Sequence, residues 1–388
     1  MQRNEHPRSF SIAPTDLAGG NTNNQNPQPN HTSNTGYSRD REYYYSDGSG
    51  VFLVDSTLFK IHTTLIFGPR PVSSSGQTEG VSAIYIEDIS PRLPSSSDTN
   101  PIELPDIPLV QFRNYLLALL GRPYDVEYLK LLTSYYDCTK HSRDLCIRYL
   151  DIATLARRFG MIKVEEWALN ALYTIFAGPA ESLTRVASEP WNSETLLRLI
   201  TFTRDTKLAT HLSTFIQYFI SVNTKETTDD DTTAARTSAL ACVGIYNGLK
   251  ESNNDLALLG CAFLNILSLG HRSSIRGSGL TRNDRAILYA AQVELIDVST
   301  EFRFLQWLQS PGPILQHHLC GTCYTMLTNL WTTAFYNCKK DLGSGVPLKD
   351  ISLLVQLPKH RMRVLANTGN NFPDPTSKVH SCTYIGLH

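Results

Sequence analysis

Residues 317–323 carry the side chains in this chain that are best suited to metal chemistry. His317 and His318 precede Cys320 with one residue between, and Cys323 lies three positions after Cys320. Thiolate and imidazole groups are ligands that Zn²⁺ prefers, and a structural zinc site needs four of them. The candidate zinc ligands are therefore His318, Cys320, Cys323 and Cys338, and His380 and Cys382 could also complete the site. No second Cys-x-x-Cys or histidine pair completes the usual spacing.

The same cysteines also fit the interior of a packed helix. Cys320, Cys323 and Cys338, with apolar residues between them, follow the three- and four-residue spacing of one helix face. A redox dithiol would instead need a strand-to-helix turn in a βαβ unit, which the surrounding sequence lacks. Three interpretations stay open: a buried helix face that needs no cofactor, a zinc site and a redox dithiol.

The remaining charged clusters are short, and the overall charge is balanced. Lys and Arg number 35 and Asp and Glu 36, for a net charge of -1, so no global field favours nucleic acid. We interpret the basic run 359–363 and the acidic run 229–231 as solvated surface. Because no nucleophile lies in a recognisable pattern with a base, the sequence does not predict an enzyme. The balanced charge argues against a nucleic-acid partner.

Apolar patterning argues against a membrane span. The longest apolar run, residues 256–269, is interrupted by Gly260 and Asn265 and is too short to cross a bilayer. The first thirty residues lack the apolar core of a secretory signal. We therefore expect a protein of the cytoplasm, the nucleus or both, in which the eight cysteines stay reduced.

The elements that would position these residues begin with strands. Residues 1–44 are polar and poor in aliphatic side chains, which predicts a disordered tail. Residues 51–54 and 58–61 are β-rich and predict a hairpin, while residues 81–86 and 101–106 read as further short strands.

Helices follow the strands. Residues 109–119 carry apolar side chains three and four apart, and two more helices end near Phe159 and Phe176, whereas residues 122–146 show no clear period. This order predicts an α+β domain over residues 45–178. Residues 190–340 read as an all-α region, and residues 341–388 as a short helix with an irregular tail.

The N-terminal elements resemble a BTB/POZ domain of the divergent type abundant in basidiomycete fungi. The resemblance consists of the hairpin, residues 58–62 (Leu-Phe-Lys-Ile-His), residues 101–106 (Pro-Ile-Glu-Leu-Pro-Asp) and the helices after them. Residues 280–285, and residues 318–323 with Trp331, also resemble the C-terminal part of such proteins. We call the following positions the signature residues: Val51, Leu53, Leu58, Phe59, His62, Leu104, Phe112, Leu116 and Trp167.

The resemblance implies a non-enzymatic protein-interaction module. Members of the family act as adaptors or scaffolds, through self-association or by holding a cullin scaffold of a ubiquitin ligase. This chain has Gly50 and Thr63 where many BTB domains have an acidic and a basic residue, and no clear counterpart of the family's second helix lies between Phe67 and Pro101. The alternative function is a transcriptional or chromatin regulator that binds zinc or nucleic acid through the Cys320 region and residues 359–363.

Overall fold

A computed structural model describes residues 36–70, 83–222, 233–252, 255–269, 275, 279–297, 321–334 and 352–371. Within these ranges the chain is α+β, with one small sheet near the N-terminal end followed mainly by helices. The predicted α+β class is therefore confirmed. No helix of the described residues is long and apolar enough to cross a membrane.

The sheet has four strands in the order β1-β3-β2-β4. Its centre is the antiparallel hairpin that the sequence predicts, and β1 and β4 pair in parallel with β3 and β2, respectively. Asp55 in the hairpin turn has a φ of 50°, in the left-handed region. The strands are β1 (Ser38–Tyr44), β2 (Gly50–Val54), β3 (Thr57–Ile61) and β4 (Ile102–Glu103).

Strand β1 corrects the prediction that residues 1–44 are a disordered tail. Residues 38–44 are a strand whose Tyr43 is 6% exposed. The side chain of Asp40 accepts hydrogen bonds from the backbone N–H groups of Glu42 and Tyr43 and from Arg113. Tertiary bonds therefore order a segment that is too polar to predict as a strand from its own sequence.

The predicted strand at residues 81–86 is also wrong over its described part. Residues 83–85 are not in a strand, and Ile86–Ile89 form a short helix, α1. The carboxylate of Asp88 accepts the backbone N–H of Tyr85 and so caps the start of that helix. The N–H of Ile84 donates to the carbonyl oxygen of Arg158, so this stretch bonds to the C-terminal end of the helix that spans Arg143–Arg158.

Five helices surround the sheet or follow it directly. Their bounds are α2 (Leu109–Leu120), α3 (Val126–Thr133), α4 (Arg143–Arg158), α5 (Ile162–Phe176) and α6 (Ala180–Ser188). Helices α3 and α6 were not predicted. Helix α3 is only two turns long, so its sequence has too few apolar positions to establish a three- and four-residue period.

The rest of the described chain is helical, as predicted. The helices are α7 (Ser193–Thr203), α8 (Ala209–Val222), α9 (Thr233–Ser252), α10 (Leu256–Ser268), α11 (Arg282–Asp297), α12 (Gly321–Ala334), α13 (Ser352–Val355) and α14 (Leu357–Asn371). Helix α14 has 15 residues, which is longer than the short helix predicted within residues 341–388. One hydrophobic core is continuous from Tyr43 to Met362.

A buried carboxylate fixes the start of helix α11. Asp284 accepts the backbone N–H and the hydroxyl of Thr281, while its own N–H donates to the Thr281 hydroxyl, as in the predicted capping box. Lys250 on helix α9 forms a 2.9 Å ion pair with the same carboxylate. Burial alone would raise the pKa of Asp284, but the bonds from Thr281 and Lys250 outweigh it and lower the pKa to about 2.

We expect Asp284 to make stability depend on acid pH. Its pKa is lower in the folded than in the unfolded chain, so its contribution of about 2 kcal/mol is present above about pH 5 and mostly lost by about pH 2. Over that interval, wild-type protein should lose about 2 kcal/mol more than the Asp284→Asn variant. Urea unfolding of both proteins at each pH measures the difference, and parallel curves would contradict the prediction.

Candidate functional site: an exposed interaction surface

Most of the proposed zinc ligands lie outside the described residues. This is true of His318, Cys320 and Cys338, while Cys323 lies on helix α12 with its side chain undescribed. On the same helix Leu327 is 1% exposed. Within the described ranges no cluster of three His, Cys, Asp or Glu side chains could hold a metal ion. The three interpretations of the cysteine segment therefore remain predictions.

The thiols that the structure describes are poor nucleophiles where they are buried. Burial raises the pKa of Cys146 and Cys242, the latter to about 12, and raises that of Cys261 to about 11. A thiol with so high a pKa is almost entirely protonated at neutral pH. These cysteines therefore act as small hydrophobic side chains in the core.

One histidine and serine pair has the spacing of a base and a nucleophile. Nδ1 of His141 lies 2.8 Å from Oγ of Ser182, and Nε2 of His141 lies 2.9 Å from Tyr135 O. Both side chains belong to residues that are 3% exposed, so a substrate could not reach them. We assign the pair a structural role, which is to hold the loop before helix α4 against helix α6.

Arg363 is exposed but His360 is buried, so the basic run 359–363 is only partly the solvated surface that the sequence predicts. It lies on helix α14, which packs against helices α8 and α12. Met362 is 3% exposed, the backbone N–H of Lys359 donates to Oγ of Ser221, and burial lowers the pKa of Arg361.

The signature residues divide between the two faces of the sheet. Phe59, Leu104, Phe112 and Leu116 lie in the main core, where the rings of Phe59 and Phe112 pack edge to face at 4.9 Å. Tyr115, their neighbour on helix α2, donates its hydroxyl to Ile66 O at 2.6 Å. These contacts attach helix α2 to the sheet and to the segment that follows the hairpin.

The other signature residues occupy different surroundings. Val51, Leu53 and Leu58 form a small second cluster with the side chains of two tyrosines of the β1 region. The imidazole of His62 is 40% exposed and lies 3.4 Å from Asp47, just before the 3₁₀ turn at residues 63–65. Trp167 packs on the edge of the main core, with its ring 5.6 Å from that of Tyr149.

Helix α3 and its flanks expose large hydrophobic side chains at high density. Four of the 13 exposed large hydrophobic residues of the described chain fall within residues 124–136. We call these four the α3 surface: Tyr124, Val126, Leu129 and Tyr136, which are 73%, 62%, 43% and 75% exposed. Exposure is a tertiary property, so the sequence pattern could not reveal this surface.

The elements around the α3 surface hold it in place. Asp125 caps the helix by accepting the N–H groups of Glu127 and Tyr128. Glu127 then pairs with Arg148 on helix α4 at 2.9 Å, and Leu131 is buried beneath the helix. The cap and the ion pair therefore fix the position of helix α3, which carries Val126 and Leu129.

Comparison with known proteins identifies no relative. No protein-family model matches the chain, and neither a curated protein nor a solved structure does.

Proposed function

We propose that the chain is a non-enzymatic protein-interaction module, an adaptor or scaffold built on a BTB/POZ-like domain. The observation that carries the proposal is the α3 surface, where four large hydrophobic side chains are exposed within residues 124–136, since exposed apolar side chains that lie together favour contact with another protein. The hairpin, the short parallel strand and the helices after it follow the order of elements on which the BTB/POZ resemblance rests.

The fixed geometry of the α3 surface favours binding. Val126 and Leu129 are three positions apart and share one face of the helix. Because the cap and the ion pair of Glu127 already order the helix, a partner would cost little further conformational entropy on binding. The partner would be another protein, such as a cullin scaffold or a second copy of the chain, in the cytoplasm or the nucleus.

Charging the α3 surface tests this function. We expect the double variant Val126→Lys with Leu129→Lys to capture the partner proteins of the wild-type chain in amounts that are lower by about tenfold or more. The reason is that buried apolar contacts carry most binding energy. Affinity purification from the native host, with quantitative mass spectrometry, gives the comparison. Titration of a purified cullin N-terminal domain separates a cullin from other partners.

The matched control places the same charges on other helices. Leu256 and Val293 are 70% and 62% exposed, on helices α10 and α11. Leu256→Lys with Val293→Lys should capture the same proteins as wild type. If the α3 variant also does so, or if both variants lose the same proteins, the α3 surface is not the binding site.

A further inference from the structure

An open depression of about 660 Å³ lies where strands β2 and β4 end and helix α2 begins. Its floor is apolar and consists of Leu53, Leu104 and Ile107, each no more than 8% exposed. Two prolines and three carboxylates line the remainder. The carboxylates belong to Asp55, Glu103 and Asp106, all of them exposed residues.

The three rim carboxylates give the depression a negative charge. Asp55 accepts the backbone N–H of Leu109, the first residue of helix α2, so its position is fixed. In the described chain no ion pair joins a rim carboxylate to a lysine or arginine. Arg158 acts on Asp106 through its charge, but its guanidinium donates to Pro105 O. Arg158 therefore offsets part of the charge of Asp106, whereas a cationic group would meet Asp55 and Glu103 without a salt-bridged lysine or arginine among the described residues.

Strand β4 adds backbone groups beside the depression. Residues 102 and 104 bond to β2, as shown by the N–H of Leu104 donating to Leu53 O. Because alternate residues of a strand direct their N–H and C=O groups to opposite sides, those of Glu103 point away from β2. Pro101 and Pro105 lie two positions to either side of Glu103 and lack an N–H. A ligand could therefore form only a brief strand pairing with β4 and must bind mainly through side chains.

We propose that this depression binds an extended segment of a partner protein in which lysine or arginine alternates with aliphatic residues. The long stems of Lys and Arg cover apolar surface well, and their charged ends would reach the rim carboxylates. A neutral segment would leave those carboxylates without a counter-charge, and an acidic segment would be repelled by them. The site uses no residue of the α3 surface, so either binding surface can fail in a test without the other.

The test measures binding of a defined peptide to the full-length protein. The probe is a fluorescein-labelled peptide of alternating lysine and valine, followed by fluorescence anisotropy at low ionic strength, with a glutamate and valine peptide for comparison. We expect Glu103→Lys with Asp106→Asn to weaken binding by about tenfold or more. Asparagine suits position 106, where φ is 59°, so the fold should persist and a thermal melt can verify that.

A second variant makes the same change in charge elsewhere. Glu166→Lys with Asp47→Asn alters two exposed carboxylates whose side chains are 54% and 77% exposed. It should bind the basic peptide within about twofold of wild type. Absence of binding to wild type, equal binding of the acidic peptide, or equal weakening in both variants would overturn the proposal. So would self-association of the wild type that the Glu103 variant abolishes, because the occupant would then be a second copy.

Discussion

Replacing Gly68 with alanine is expected to lower the free energy of unfolding by about 3 kcal/mol. A Cβ at this position would lie 2.2 Å from Gly160 O and 2.7 Å from Gly160 C. Both are backbone atoms at the end of helix α4, so no side-chain rotation can relieve the clash. The N–H of Gly68 also donates to Phe159 O at 2.7 Å, so moving the segment away would break that bond.

The consequences should extend into the core, because Gly68 follows Phe67. The ring of Phe67 packs against Phe52 at 5.5 Å and against Phe159 at 4.7 Å. Any shift of the segment therefore disturbs contacts between the sheet and helix α4. Urea unfolding followed by circular dichroism measures the loss in stability.

Gly260→Ala is the matched control. A Cβ at Gly260 would meet nothing within 4 Å, and the residue lies inside helix α10. Alanine favours helix over glycine by about 1 kcal/mol, so this variant should be as stable as wild type or more so. A Gly68→Ala protein that unfolds at the wild-type urea concentration would show that the two segments are not in close contact.

The sequence predicts those helices and strands whose signals are local. The hairpin needs only two β-rich runs and a polar turn, and helix α7 begins where Asn192 accepts the N–H of Thr195 at 2.8 Å. Helix α2 shows the limit of this approach. Its first N–H bonds to Asp55, which lies 54 positions away in the hairpin turn, and no local pattern reveals such a partner.

The candidate surfaces were missed for a similar physical reason. Periodicity predicts which residues a helix can bury, but whether Val126 and Leu129 find a neighbour depends on how far the rest of the fold extends. The basic run 359–363 departs from its prediction in the opposite sense, since neighbouring helices cover part of it and leave Arg363 exposed. Charge along the chain does not report the accessibility of charge in the fold.

Strand β1 is the element that depends most on one distant contact. The pairing of β1 with β3 shifts register between Arg39 and Tyr44, so amides in that stretch leave the ladder. Asp40 lies within that stretch, and its carboxylate accepts hydrogen bonds from the backbone N–H groups of Glu42 and Tyr43 at 2.9 and 3.0 Å. The same side chain, 1% exposed, pairs with Arg113 on helix α2 at 2.7 Å.

We expect Asp40→Ala to destabilise the protein by about 3 kcal/mol, because it leaves backbone N–H groups and one guanidinium without their acceptor. The amides of residues 38–45 should then exchange with deuterium much faster than in wild type, since β1 would detach before the rest unfolds. Asp47→Ala is the control, because Asp47 is 77% exposed and contacts only His62 at 3.4 Å among the described ion pairs. That variant should stay within about 0.5 kcal/mol of wild type. An unchanged rate of deuterium exchange at residues 38–45 in Asp40→Ala would mean that strand pairing alone holds β1. The polar segment would then be ordered by its backbone rather than by this carboxylate.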